Sequence, residues 1–165
     1  MKKISLWALA LLTALSAQAQ TFEPELADPK PGAQETWNSV KKASLAWGST
    51  DIRYSRSQPA TGQKTLLLDA WRGERVSAQA VLSTPVDLAR VTFEVSDLRN
   101  GKAIIPAPRI NKYFVRYVMT DWHENKSDSF LLPDHLSPET EMKVEARTTR
   151  PLWLAIRVPP AATPD

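Results

Sequence analysis

Arg75-Val76-Ser77-Ala78-Gln79-Ala80-Val81-Leu82 is the stretch that decides the fold. Its even positions, Val76, Ala78, Ala80 and Leu82, are apolar, while Arg75, Ser77 and Gln79 between them are polar. Successive side chains of an extended chain point to opposite faces, so this rhythm predicts a strand with one buried and one wet face. The same rhythm returns in Arg90 to Ser96, where Val91, Phe93 and Val95 are the apolar set. It returns again where Met142, Val144 and Ala146 alternate with Lys143, Glu145 and Arg147, and in the stripe Leu152, Leu154, Ile156, Val158. Lys64 to Leu68 and Lys102 to Ile105 read as shorter strands. Arg109 to Met119 is rich in β-formers with apolar residues on both phases, as in a central or bulged strand. Asn100-Gly101 predicts a type I′ hairpin turn. Pro85, Pro106, Pro108, Pro133, Pro138 and Pro151 fall between the runs, where a missing N–H costs nothing. About seven strands at short spacing predict an all-β fold, an antiparallel β-sandwich of immunoglobulin-like or jelly-roll-like type. Val76, Ala78, Val91, Phe93, Val95, Leu152, Leu154 and Ile156 are its expected interior.

Outside this pattern the chain divides simply. Met1-Lys2-Lys3, the apolar run Leu6 to Leu15 and the small-x-small site Ala17-Gln18-Ala19 read as a signal peptide over residues 1–19. The apolar run is too short to span a bilayer, so no stable membrane insertion is expected after cleavage. The expected location is therefore exported, periplasmic or extracellular. Residues 20–46 are Pro-rich and polar at first and read as a surface lead-in, with a short helix over Ala33 to Leu45 in which Trp37, Val40, Ser44 and Leu45 share a face. Residues 47–165 are the expected β-sandwich domain. The run Pro159-Pro160-Ala161-Ala162-Thr163-Pro164-Asp165 ends on the first half of a turn signal, so a C-terminally truncated domain is expected.

Composition narrows the chemistry. There are no cysteines, which leaves no disulfide, thiol nucleophile or thiolate metal site. The formal charge of +3 includes the two lysines of the signal peptide, so the high pI makes no case for nucleic-acid binding. No Gly-rich phosphate loop and no Gly-x-Ser-x-Gly elbow is present, and no cofactor is expected.

Several blocks together carry a resemblance. They are Trp47-Gly48-Ser49-Thr50-Asp51-Ile52-Arg53-Tyr54, then Ala70-Trp71-Arg72-Gly73-Glu74-Arg75-Val76-Ser77-Ala78-Gln79-Ala80-Val81, then Val95-Ser96-Asp97-Leu98. Phe114-Val115-Arg116-Tyr117-Val118-Met119-Thr120-Asp121, Thr149-Arg150-Pro151-Leu152-Trp153-Leu154 and Val158-Pro159 follow. This string resembles the N-terminal domain of glycoside hydrolase family 123, the β-N-acetylgalactosaminidase family, over about residues 45–165. The resemblance implies an exported enzyme in which a β-sandwich precedes a catalytic (β/α)8 barrel. It also implies substrate-assisted hydrolysis, in which the sugar's acetamide attacks beside an Asp-Glu pair, a departure from the two-carboxylate scheme. No Asp-Glu dipeptide occurs in this chain, and such a barrel alone needs ~250 residues. The expected role is a non-catalytic scaffold or accessory domain, with the absent barrel and glycans as its partners. The alternatives are a free-standing carbohydrate-binding module and a structural or adhesion sandwich.

Two polar clusters have residue types suited to acid–base or metal chemistry. These are Asp121-Trp122-His123-Glu124 with Asp128, and Asp134-His135 with Glu139. Their spacing in a proline-containing stretch fits a connecting loop better than a transition-metal site. No catalytic, cofactor or metal residue is therefore assigned. Among the aromatics, Trp153 falls on the phase opposite the Leu152-Leu154-Ile156 stripe, where it predicts an outward-facing ring. Trp71, Arg72, Trp122 and Trp153 are the candidate carbohydrate or domain-interface contacts, the competing reading being core or sheet-edge packing.

Overall fold

The computed structural model describes residues 22–121 and 129–162. Nearly all of its regular structure is antiparallel β. The strands are β1 (Ser44–Gly48), β2 (Arg75–Thr84), β3 (Leu88–Val91), β4 (Leu98–Asn100), β5 (Ala103–Ile105), β6 (Ile110–Thr120), β7 (Phe130–Ser137), β8 (Met142–Val144) and β9 (Thr148–Arg157). The main sheet has the order β1-β2-β9-β6-β7, and two ribbons, β3-β8 and β4-β5, accompany it.

The centre of the sheet is the pairing of β2 with β9. It runs in register from Arg75 opposite Arg157 to Thr84 opposite Thr148. That register places Val76 against Ile156, Ala78 against Leu154 and Ala80 against Leu152, so the two apolar stripes share one face. A slip of one residue would turn either stripe to the other face, which is why burial specifies the register. β6 extends the same face with Ile110 beside Ile156 and Phe114 beside Leu152. Ala78, Ile110, Leu154 and Ile156 form one buried cluster, and Ala80, Phe114 and Leu152 another. Phe114 is fully buried and meets Phe93 edge to face at 5.1 Å between ring centres.

The layer over this face is not a second continuous sheet. β3 and β8 bring Val91 and Met142 against the core, and Leu66 and Ile105 arrive from other segments. Beyond Val91 the chain carries no strand pairing until Leu98, yet Phe93 and Val95 still pack inward. Alternation reports which way a side chain faces; it does not report whether the backbone beside it is paired. All eight residues expected inside do pack on this core, Val76, Val91, Phe93 and Val95 as half-buried members.

Several local expectations change. The helix expected over Ala33 to Leu45 is a 3-10 helix at Gln34–Ser39, and Leu45 belongs to β1. Lys64 to Leu68 forms no strand. The nearby pairing is a single bridge between Gln63 and Trp47. The hairpin near Asn100 turns one residue later than the type I′ reading requires. Asn100 pairs with Ala103, and of the two connecting residues Gly101 alone has positive φ, the pattern of a type II′ turn. Asp134 and His135 lie not in a loop but on edge strand β7. Arg116 opposes His135 while Tyr117 opposes Pro133, which leaves Asp134 as the extra residue of a bulge.

The largest departure concerns the face expected to be wet. Gln79, Ser83, Thr149 and Pro151 are buried, and the chain from Ser49 to Ala60 bonds the polar groups on that side of the sheet. Their polar groups find protein partners there. Gln79 Nε2 donates to the carbonyls of Ser49 at 2.6 Å and Ile52 at 3.2 Å. Ser83 Oγ and Thr149 Oγ1 are 2.8 Å apart, and the amides of Ala60 and Thr149 donate to Ser83 Oγ and the Arg56 carbonyl. The segment read as a surface lead-in takes part. Trp37 is buried and donates its indole N–H to the Ser57 carbonyl.

Glu25, from the same segment, completes the sheet itself. β6 and β9 pair only as far as Phe114 and Leu152. Where the ladder stops, Arg150 Nη1 donates to the Val115 carbonyl, and Glu25 Oε1 accepts the Tyr117 amide. Arg150 and Glu25 bind each other through two contacts of 2.5 and 2.8 Å. A bidentate pair thus stands in for the missing ladder bonds, and each charge has hydrogen bonds as well as a counter-ion. Arg56 and Arg116 also approach Glu25, and they pair outward with Glu145 and Glu139. Arg116 further donates to the Glu23 carbonyl and lies over the Phe22 ring. The Tyr117 hydroxyl sits within 2.9 Å of the Tyr54 carbonyl and 2.8 Å of the Thr149 carbonyl, and burial pushes its pKa up, so it remains a neutral donor.

Two predictions follow from this packing. Phe114→Ala should cost about 3–5 kcal/mol, the range for emptying a fully buried aromatic site, read as a lower urea midpoint at constant slope. Glu25 contributes to acid stability. Burial raises its pKa, but the Arg150 bonds and charge, the Tyr117 amide and Arg56 together hold it below the usual 4.5. Its contribution is present above that value and lost as pH falls through the lowered folded pKa. Glu25→Gln should flatten this acid limb and cost about 3–5 kcal/mol at neutral pH, since it leaves Arg150 buried without its counter-ion. Urea titrations across pH 3–7, a window chosen to straddle the ~4.3 reference for Glu, check both effects.

Candidate functional site

The outward face of β9 carries the principal candidate. Trp153 sits between Gln79 on β2 and Tyr113 on β6, on the side of the sheet away from the apolar core. It is half-buried and lines a cleft of about 430 Å³. One wall is the turn that follows β1, with Thr50, Asp51, Ile52 and Arg53; the other is the bulged part of β7, with Pro133 and Asp134. The bulge matters because a residue without a cross-strand partner can be re-aimed. Asp134 uses that freedom to meet Arg53 at 3.2 Å across the cleft. Both side chains are more than half exposed, so this is a solvated surface pair of modest worth.

The turn wall is held from several directions. Gln79 fixes the carbonyls of Ser49 and Ile52 from below. The Ile52 amide donates to the Ser49 carbonyl, the Asp51 amide to Ser49 Oγ, and the Ser49 amide to the Tyr54 hydroxyl. Gly48 is required here because a Cβ would fall 2.6 Å from the Tyr54 hydroxyl and 2.7 Å from Val81 Cγ2. The backbone of the wall is thus fixed within the fold itself.

Trp71 and Arg72 lie elsewhere. They occupy the turn leading into β2, where Gly73 takes a positive φ of 78° and the Glu74 carboxylate accepts the Trp71 amide at 2.6 Å. Trp71 does not pack back on the sheet edge: it is 83% exposed. Among the described residues Arg72 and Arg75 form no ion pair, and neither Trp71 nor Arg72 lines the Trp153 cleft. Residues 158–162 run beside this turn, with the Val158 amide bonded to the Glu74 carbonyl. Trp122, His123, Glu124 and Asp128 lie outside the described residues. His135 is exposed on β7. Among the described residues no group of three or more His, Cys, Asp and Glu side chains is gathered for a metal ion, and no helix is long and apolar enough to cross a membrane.

Of the candidate contacts among the described residues, the structure brings Trp153, and neither Trp71 nor Arg72, to this cleft. Of the polar residues around it, Asp51 and Arg53 carry no expected role, and Asp134 is expected only in a polar cluster with His135 and Glu139. Asp51 and Arg53 stand inside the Trp47 to Tyr54 block, a signal of position without a role. Asp134 reads as a loop residue because a bulge has no period, and the structure puts it on β7.

Comparison with known proteins agrees with this architecture. The sequence model of the glycoside hydrolase 123 N-terminal domain matches residues 47–165. Among solved structures, a family 123 glycoside hydrolase from Clostridium perfringens, determined for the details of glycolipid glycan hydrolysis, superposes with a TM-score of 0.68 at 20% identity. The match covers 75% of this chain and 23% of that one, so this chain spans under a quarter of its relative's length. No curated protein matches the sequence. By its sequence match over residues 47–165, this chain belongs to the glycoside hydrolase 123 N-terminal domain family.

Proposed function

We propose that the chain is the exported, non-catalytic N-terminal module of a glycoside hydrolase acting on N-acetylgalactosaminides. The match over residues 47–165 to the N-terminal domain of that family carries this reading. In it, the five-stranded sheet and the ribbons over its apolar face are the two layers of a β-sandwich. The signal-like residues 1–19 direct export. Hydrolysis belongs to a (β/α)8 barrel for which this module is a scaffold.

The turn at Trp71 and Arg72 is the proposed contact with that barrel. Trp71 is 83% and Leu67, four residues earlier in the chain, 94% exposed, and large rings left in water are a feature of surfaces that bind another protein. Residues 158–162 pass alongside, with Pro160 next to Gly73. A barrel linked to this end of the sheet would close over both side chains.

The purified chain should not hydrolyse a chromogenic β-N-acetylgalactosaminide; turnover above buffer would overturn the non-catalytic assignment. Co-expression with the barrel of its parent enzyme should raise the melting temperature and the monomer fraction of the module. Trp71→Ser should remove that gain while changing the isolated chain by no more than ~0.5 kcal/mol, as expected for an exposed site. A barrel that leaves the melting temperature unchanged would argue for a free-standing module instead.

A further inference from the structure

We propose that the Trp153 cleft is a binding subsite for a neutral saccharide, separate from any catalytic centre. The inference goes beyond the role assigned above and does not depend on it, since it rests on the geometry of the cleft alone.

Trp153 is the first observation. It is a large ring in the middle of the sheet, on the face the apolar core does not use, with part of its surface open to a cleft. An indole offers a flat apolar plane, and the C–H faces of a pyranose ring are a natural complement to it. The second observation is the chemistry around the ring. Asp51 and Asp134 supply carboxylate acceptors, Arg53 a fork of donors, and Thr50 a hydroxyl. A sugar presents vicinal hydroxyls that each donate and accept, so it needs both kinds of partner close together. The third is charge. Two carboxylates against one guanidinium give the cleft a net negative character, which disfavours phosphate, sulfate or carboxylate ligands.

Size and rigidity agree with the assignment. About 430 Å³ lies within the ~300–1,000 Å³ usual for small-molecule sites. The backbone of the wall carrying Thr50, Asp51 and Arg53 is held by Gln79, Ser49 and Tyr54, so little backbone ordering is left to oppose binding. The Arg53–Asp134 contact is solvated and readily exchanged, so a ligand can replace it without exposing a buried charge.

The test is a titration of the isotope-labelled chain with methyl β-N-acetylgalactosaminide, with a neutral galactose-ended oligosaccharide, and with a sulfated saccharide of the same length. Neutral sugars should shift the Trp153 indole N–H resonance, and the sulfated one should bind more weakly. Trp153→Ala should weaken binding at least tenfold, equivalent to ~1.4 kcal/mol. Because Trp153 lies in a central strand, Arg53→Ala and Asp134→Asn provide the parallel arm: both sites are exposed, both variants should keep the wild-type melting temperature, and each should weaken binding several-fold. Trp71→Ala should bind like the wild type. The proposal is overturned if no neutral saccharide shifts the Trp153 signal at millimolar concentration. It is equally overturned if folded Arg53→Ala and Asp134→Asn both bind as the wild type does, or if the sulfated sugar binds best. Hydrolysis by the parent enzyme is read in a different assay, so either idea can fail alone.

Discussion

A charged guanidinium inside a sheet has to be answered, and much of this structure is the answer to Arg150. It lies on β9 at 4% exposure, on the strand that carries the core residues Leu152, Leu154 and Ile156. An unpaired charge there would cost several kcal/mol, so a carboxylate must be delivered to it. Glu25 arrives from 125 residues away in the chain, and its delivery anchors the whole N-terminal segment. The same pair bonds the Val115 carbonyl and the Tyr117 amide where β6 and β9 part. Those strands can therefore splay without orphaning backbone groups. Arg56 and Arg116, with Glu139 and Glu145, extend the pair into a cluster of three arginines and three glutamates. Arg150 Nε is the remaining buried side-chain donor without a partner among the described residues.

The anchored segment makes the sheet two-sided, and the two sides work differently. One face is held by apolar burial among Ala78, Phe114, Leu152 and Leu154, whose contacts are non-directional. The other is held by hydrogen bonds that Gln79 and Thr149 donate to covering loops and that Ser83 accepts from them, whose geometry is specific. The second kind of face brings polar groups from several segments together. The Trp153 cleft lies there, with Gln79 serving both the sheet and the turn that carries Asp51 and Arg53.

How much of this was legible follows from which residues carry a period. The stripes of β2 and β9, the outward phase of Trp153 and the β character of β6 were all readable, because a strand repeats every two residues. The burial of Gln79 and Ser83 was not, since a polar residue covered by a loop has the same identity as one in water. The strand character of Pro133 to Ser137 was hidden by proline and charge, which are tolerated on an edge. Glu25 and Arg150 gave no local sign of each other. A contact between residues so far apart in the chain leaves no spacing to read.

The sequence by itself determined that β2, β6 and β9 are strands, which face of β2 and β9 is apolar and which family the Trp47 to Pro159 blocks resemble. These are properties of neighbouring residues, and local alternation encodes them. Tertiary structure alone decided that the apolar layer is capped by short ribbons, that the polar face is covered, that Asp134 meets Arg53, and that Glu25 closes the gap beside Arg150. Each of these depends on where distant segments come to lie. Their energies come from desolvation and pairing, which exist only once both partners are in place.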